Sequence, residues 1–257
     1  MTFAPLYAYT PPPVTSEQNL ILTIEYRFRF GNGTETRFTV RLRKPDLQLL
    51  AEPRAELPEW TRLTSYQCPN CPLNPAQHSH CPIAVNLVDI IEFFKDRFST
   101  EETDITVQSD ARQYHRHGSV QLGVSSLMGL HMVTSGCPVM DKLRPMAHTH
   151  LPFATVGETM YRAVSMYLLA QYFRDRRGKA ADWKLGELLK IYDDIRQVNQ
   201  SFVKRLLSIN PLDASINALV CLDCFATVTA FSIVQDSLKE MEPLFQAYLN
   251  EGEQSAK

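Results

Sequence analysis

Four of the six cysteines are followed directly by proline: Cys68-Pro69, Cys71-Pro72, Cys81-Pro82 and Cys137-Pro138. Proline fixes φ and has no N–H to give, so such a pair belongs in a turn or at the first position of a helix. Three of the pairs crowd into one segment, Cys68-Pro69-Asn70-Cys71-Pro72-Leu73 followed by His80-Cys81-Pro82. Three thiols in a short turn-rich segment, with a fourth supplied by a remote loop, is the pattern of a thiolate metal site.

Nothing in the N-terminal residues Met1-Thr2-Phe3-Ala4-Pro5-Leu6-Tyr7 resembles a basic n-region, and Pro11-Pro12-Pro13 soon follows, so no signal peptide and a cytoplasmic location are expected. In a reducing compartment, clustered cysteines read as ligands rather than disulfides. The 257 residues carry a formal charge of −2, which gives no strong nucleic-acid signal and no pull toward anionic membranes. One apolar stretch, 214–234, raises the question of a membrane span. It contains Asn217 and Asp223. An Asp at a bilayer centre costs about 2.5–3.5 kcal/mol, so a buried bundle helix and no membrane are expected.

Residues 1–18 read as irregular and Pro-rich. Leu22, Ile24, Tyr26, Phe28 and Phe30 alternate with polar residues. After Gly31-Asn32-Gly33 the alternation resumes through Thr36, Phe38, Val40 and Leu42. Period-2 patterning about a Gly/Asn turn predicts a β-hairpin with one buried face and an arginine-rich outer face. The segment 46–66 reads as a connection. An amphipathic helix is expected over Ile83–Phe98, a short strand at Ile105–Val107, and a helix over Ser119–Met132 with Gly136 as its C-terminal cap. Further helices are expected over Glu158–Arg176, over Trp183–Leu207 behind Asp182, and from Asp213 onward. The fold class is therefore α+β. Its parts are an N-terminal antiparallel hairpin or small sheet (1–66), a cysteine-liganded metal element (67–154) and a C-terminal helical bundle (155–257), joined as one compact unit.

The spacing Cys-x2-Cys-x9-Cys with remote Cys137 admits three readings. Cys68, Cys71, Cys81 and Cys137 hold a [4Fe-4S] cluster; or the four, or three of them with His78 or His80, hold zinc; or the thiols are unmetallated core residues. The cluster is preferred because Pro72 lacks the N–H that a zinc knuckle uses, and because Cys-Pro also ends the bacterial ferredoxin run. Cys81 at the start of a helix faces unpaired N–H groups that favour thiolate, and Cys137-Pro138 repeats the device ahead of Val139–Leu143. Cys221 and Cys224, one helical turn apart, read as core residues.

Three segments carry other polar candidates: Arg112–His117, Met146–Phe153 and Glu158–Arg162. His148, His150 and Glu158 are the candidate acid–base groups, beside Arg144 and Arg162. The competing reading gives Glu158 to its helix N-terminus and the histidines to loop hydrogen bonds. No phosphate-binding loop, nucleophile elbow or His-Glu-x-x-His motif is present.

The phrases Cys68–Leu73, His80-Cys81-Pro82-Ile83-Ala84, Thr134-Ser135-Gly136-Cys137-Pro138, His150-Leu151-Pro152-Phe153 with Glu158-Thr159, and Tyr167–Tyr172 resemble a family of bacterial proteins without an assigned activity. The resemblance runs from about Trp60 to the C-terminus. It implies a bacterial cytoplasmic origin and groups Cys137 with the upstream trio, and it carries no catalytic residue across. The expected function is a metal-binding protein with a four-cysteine site in a sensor or accessory role, acting with a protein partner. One alternative is a metal-dependent enzyme using the His148/His150/Glu158 region. The other is a structural-zinc adaptor that binds a partner or nucleic acid through its arginine-rich hairpin.

Overall fold

Ile21–Phe30 (β1) and Glu35–Arg43 (β2) pair antiparallel, with Tyr26 opposite Phe38 and Arg27 opposite Arg37. In this computed structural model, which describes residues 20–234 and 237–250, the hairpin is the centre of a five-stranded sheet. Gln48–Leu49 (β3) extends it on one side. Glu102–Ser109 (β4) and Gln113–Ser119 (β5) extend it on the other, in the order β3-β2-β1-β4-β5. All four pairings are antiparallel. The chain is an α+β protein, and its sheet draws strands from both sides of the cysteine segment. The Pro-rich residues 1–18 lie outside the described residues.

The expected alternation holds. Ile24, Tyr26, Phe28, Phe30, Val40, Leu42, Ile105 and Val107 are buried on one face. Two short helices, Pro82–Asn86 (α1) and Val88–Phe94 (α2), and the longer Val120–Thr134 (α3) belong to the same core. Phe28 meets Phe94 edge-on at 5.1 Å, and Phe38 stacks on Phe94 at 5.6 Å. Gly123 lets α3 lie close on the sheet, since a Cβ there would sit 2.4 Å from the Phe28 ring.

One helix was expected over Ile83–Phe98; the structure breaks it at Leu87, whose φ and ψ of −103° and 1° are not helical. The Asn86 side chain donates to the Pro82 carbonyl at 2.8 Å, a local bond that competes with the helical ladder. Arg112–His117, given from sequence only as a run of polar candidates, is largely strand β5. It forms the sheet edge, and its polar residues gave no alternation to read.

Val156–Asp175 (α4) begins at a full capping box of Thr155 and Glu158. Gly186–Leu207 (α5) starts three residues later than expected, after Leu185 in the left-handed region. Asp182 still serves its N-terminus, accepting from the Glu187 N–H at 2.7 Å. Asp213–Val234 (α6) packs on α3 and α5. Leu222 approaches α3 where Gly129 makes room; a Cβ at Gly129 would lie 3.1 Å away. Gln246–Leu249 (α7) ends the described chain.

The expectation of a buried helix over 214–234 is corrected. Only 22% of the apolar window of α6 is buried. Ala214, Ala218, Leu219 and Ala226 face inward, while Val220, Val228 and Phe231 are exposed. The reason is position: α6 is covered on the side that meets α3 and α5 and open on the other. By length and composition alone α6 is long and apolar enough to cross a membrane. The core assignment of the second cysteine pair falls with it, because Cys224 is exposed and Cys221 half-buried.

Candidate metal centre

Cys68, Cys71, Cys81 and Cys137 line one enclosed pocket, closed by Leu63, Ile83, Val198, Phe202 and Arg205. Its free space is small, about 10 Å³. Folding thus brings the residue-137 loop and the 68–81 segment to one pocket. Among the described residues, however, no three His, Cys, Asp or Glu side chains are grouped so as to hold a metal ion. The four thiols share an enclosure without forming a tight coordination sphere.

Backbone bonds position each loop. The Cys81 N–H donates to Thr61 at 2.8 Å, and the Leu63 N–H to Ser79 at 2.9 Å. The Cys71 N–H closes a turn on the Cys68 carbonyl at 3.0 Å. Asn70 anchors that turn to α5 by donating to the Asp194 carbonyl at 2.9 Å. Cys137 follows Gly136, whose φ of +85° ends α3, and precedes the 3-10 segment Met140–Thr149.

Burial pushes the Cys68 and Cys137 thiols up to about 11, and raises that of Cys81. Several donors act against burial. The N–H groups of Ala84 and Ile83 face the Cys81 sulfur, without closing a full capping hydrogen bond. Those of Met140 and Val139 face the Cys137 sulfur in the same way, and the Ser201 hydroxyl serves Cys68. Both Cys-Pro pairs therefore deliver the N–H groups of the following turn to sulfur, and Pro supplies the φ that starts the turn.

Arg205 was not singled out in the sequence. It lies 3% exposed on α5. Its guanidinium donates to the carbonyls of Trp60 at 2.5 Å and Arg62 at 2.7 Å, and closely to that of Tyr66. No carboxylate ion-pairs with it among the described residues. Burial lowers its pKa, and the charges it senses in opposition are those of Cys81, Cys68 and Cys71. A buried charge is ordinarily paired. Here its partners are the three neutral carbonyls, and the sulfurs of Cys81, Cys68 and Cys71 would carry the opposite charge only as thiolates. The donor set of four thiols, with no carboxylate in the lining, suits a soft metal centre.

The histidine alternatives sit elsewhere. His78 is exposed, His80 bonds the neighbouring Ser79 hydroxyl at 2.8 Å, and neither lines the thiol pocket. His148 and His150 instead line a separate cleft of about 1000 Å³, with Arg112, Arg144 and Arg162. Glu158 does not line it. Its carboxylate accepts from the Thr155 N–H at 2.8 Å and the Thr155 hydroxyl at 2.9 Å. Most arginines of the hairpin are spent on carboxylates: Arg37 on Glu35 and Glu25, Arg29 on Asp104, and Arg43 on Asp46.

A family model described as Domain of unknown function (DUF6901) matches residues 24–246. The chain belongs to the DUF6901 family. The match takes in the whole sheet from Ile24 onward, all four clustered cysteines and helices α1 to α6, so the DUF6901 domain is the unit that builds the thiol pocket. No curated protein and no solved structure matches the chain.

Proposed function

We propose that this protein is a metalloprotein whose Cys68, Cys71, Cys81 and Cys137 hold one thiolate-bound metal centre, in a sensor or accessory role. The observation that carries this reading is the buried Arg205 without a carboxylate partner, set against the four cysteines. Neutral thiols are weak acceptors and need neither a guanidinium nor aimed N–H groups. Thiolates need both, and a metal supplies the positive charge that draws the thiols below their raised pKa values.

The looseness of the thiol group favours a [4Fe-4S] cluster. One tetrahedral zinc, with Zn–S of about 2.3 Å, requires sulfurs about 3.8 Å apart. A cubane spreads its four thiolates more widely. The small free volume favours zinc, which occupies the room of a single ion. When bound, either centre would cross-link the 68–81 segment, the residue-137 loop and α5. The helices beyond residue 155 would then act as a bundle braced by the metal, and occupancy would set the conformation of those loops. Sensing and accessory roles both follow from that coupling. Elemental analysis of anaerobically purified protein tests the assignment. About four irons and four sulfides per chain, with broad visible absorption, are expected for the cluster. One zinc per chain in a colourless protein would give the second reading. Neither iron nor zinc would overturn both.

A further inference from the structure

The large cleft is independent of whatever fills the thiol pocket, and its charges are unevenly balanced. Its two carboxylates are each committed to a nearby arginine, Asp46 to Arg43 and Asp141 to Arg144. Arg112 and Arg162 have no carboxylate within ion-pairing distance among the described residues. Arg162 donates to the Met146 carbonyl at 2.8 Å, while its Nε is buried without a partner. Glu158 is close enough to be felt by Arg162, but it is held in its capping box.

His150 sits beside this guanidinium. Burial first, and then the Arg162 charge, push its pKa down to about 3, so the ring is neutral. Its Nε2 lies 2.5 Å from the Tyr26 hydroxyl, which lies 2.8 Å from the Ser126 hydroxyl. Either hydroxyl can donate in the Tyr26–Ser126 pair, and Ser126 as donor leaves the Tyr26 proton for the histidine. The Tyr26 proton, kept in place by burial, is then free to go to His150 Nε2. That assignment leaves the ring proton on Nδ1, which has no hydrogen-bond partner among the described residues. A neutral histidine that in this tautomer offers a free Nδ1–H beside an undersatisfied arginine suits an oxyanion. The apolar part of the wall includes Leu151, Met166 and Leu169, and Lys44, Thr149 and Ser165 also line the cleft. Such a cleft, apolar with a few convergent polar groups, has the form of a small-molecule site.

We propose that this cleft binds an amphipathic organic anion, its carboxylate or phosphate head held by Arg162 and the Nδ1–H of His150, its apolar body against Leu151, Met166 and Leu169. Calorimetric titration of the full chain with decanoate, decyl phosphate and decanol tests this. At least one of the two anions should bind, and decanol should bind at least about tenfold more weakly; which anion binds better sorts the head group. Arg162→Gln should weaken the bound anion about ten- to hundredfold and leave decanol unchanged, and Arg162→Lys should recover part of the loss. Arg112→Gln, at an exposed position, gives a smaller loss in a chain whose folding is not in question. In the wild-type chain the His150 ring proton resonances should shift with the anion and not with decanol. The proposal is overturned if neither anion binds, if decanol binds equally well, or if the His150 resonances do not respond. It is also overturned if Arg162→Gln folds and keeps full affinity.

Discussion

Arg205 shows how much one side chain decides. Its three carbonyl partners come from the connection ahead of the cysteines, so the guanidinium ties α5 to the chain that leads into the cysteine segment. Arg205→Met would leave those carbonyls buried and unpaired, at about 1–3 kcal/mol for each that stays unsatisfied, and would remove the cation that lines the thiol pocket. Lower metal content and a lower urea midpoint are the expected result, and full occupancy would contradict the role given to it. Ser201→Ala is the gentler test, because it removes only a hydroxyl beside Cys68. It should weaken metal retention against a chelator while leaving the unfolding free energy of the metal-free chain within about 1 kcal/mol. This residue was illegible in the sequence. On an amphipathic helix an arginine reads as solvated, and only the fold brings three backbone carbonyls to it. The cysteines were legible because proline punctuates them.

Two histidines set the acid limb of stability. Burial holds His131 to about 4 and His150 to about 3, both below the ordinary value. Between those values and about 6.5 the unfolded chain binds protons that the folded chain does not. Stability therefore falls as pH drops through that window, by up to about 1.4 kcal/mol per pH unit for each histidine. Comparing urea unfolding at pH 6.5 and pH 5, His150→Phe should lose about 2 kcal/mol less than the wild-type chain. An unchanged difference would show that His150 is not held neutral.

At the scale of elements, α3 lies close on the sheet at Gly123. Gly123→Ala gains up to about 1 kcal/mol in helix propensity. The added Cβ would lie 2.4 Å from one Phe28 ring atom and 3.0 Å from the Ile105 side chain, both fully buried. Overpacking of that kind costs about 1–3 kcal/mol, so net destabilisation is expected in chemical unfolding. A stabilised variant would mean that α3 rides higher on the sheet. The elements themselves were legible in proportion to their periodicity. β1 and β2 alternate cleanly, and β4 was seen at its apolar centre. Strand β5 was missed because an edge strand carrying His115, Arg116 and His117 buries too little to show a pattern. Helix α6 misled in the opposite sense. Its apolar composition reads as burial, yet one face is open, and nothing in the local sequence says which neighbours cover a helix.

At the scale of the whole molecule, the metal centre is the proposed link between parts that the chain keeps far apart. Binding to the folded state alone adds about 2.7 kcal/mol at a free metal concentration of a hundred times Kd. For a chain of this size that is a Tm shift of about 5–10 °C. Removal of the metal by chelation should lower Tm by that amount, and an unchanged Tm after verified removal would show that the site does not brace the fold. The most direct measurement compares metal content in Cys137→Ala and Cys224→Ala chains purified alike without oxygen. Loss of the centre in the first and full retention in the second are expected. Full occupancy in Cys137→Ala would contradict the meeting of the remote sulfur with the other three.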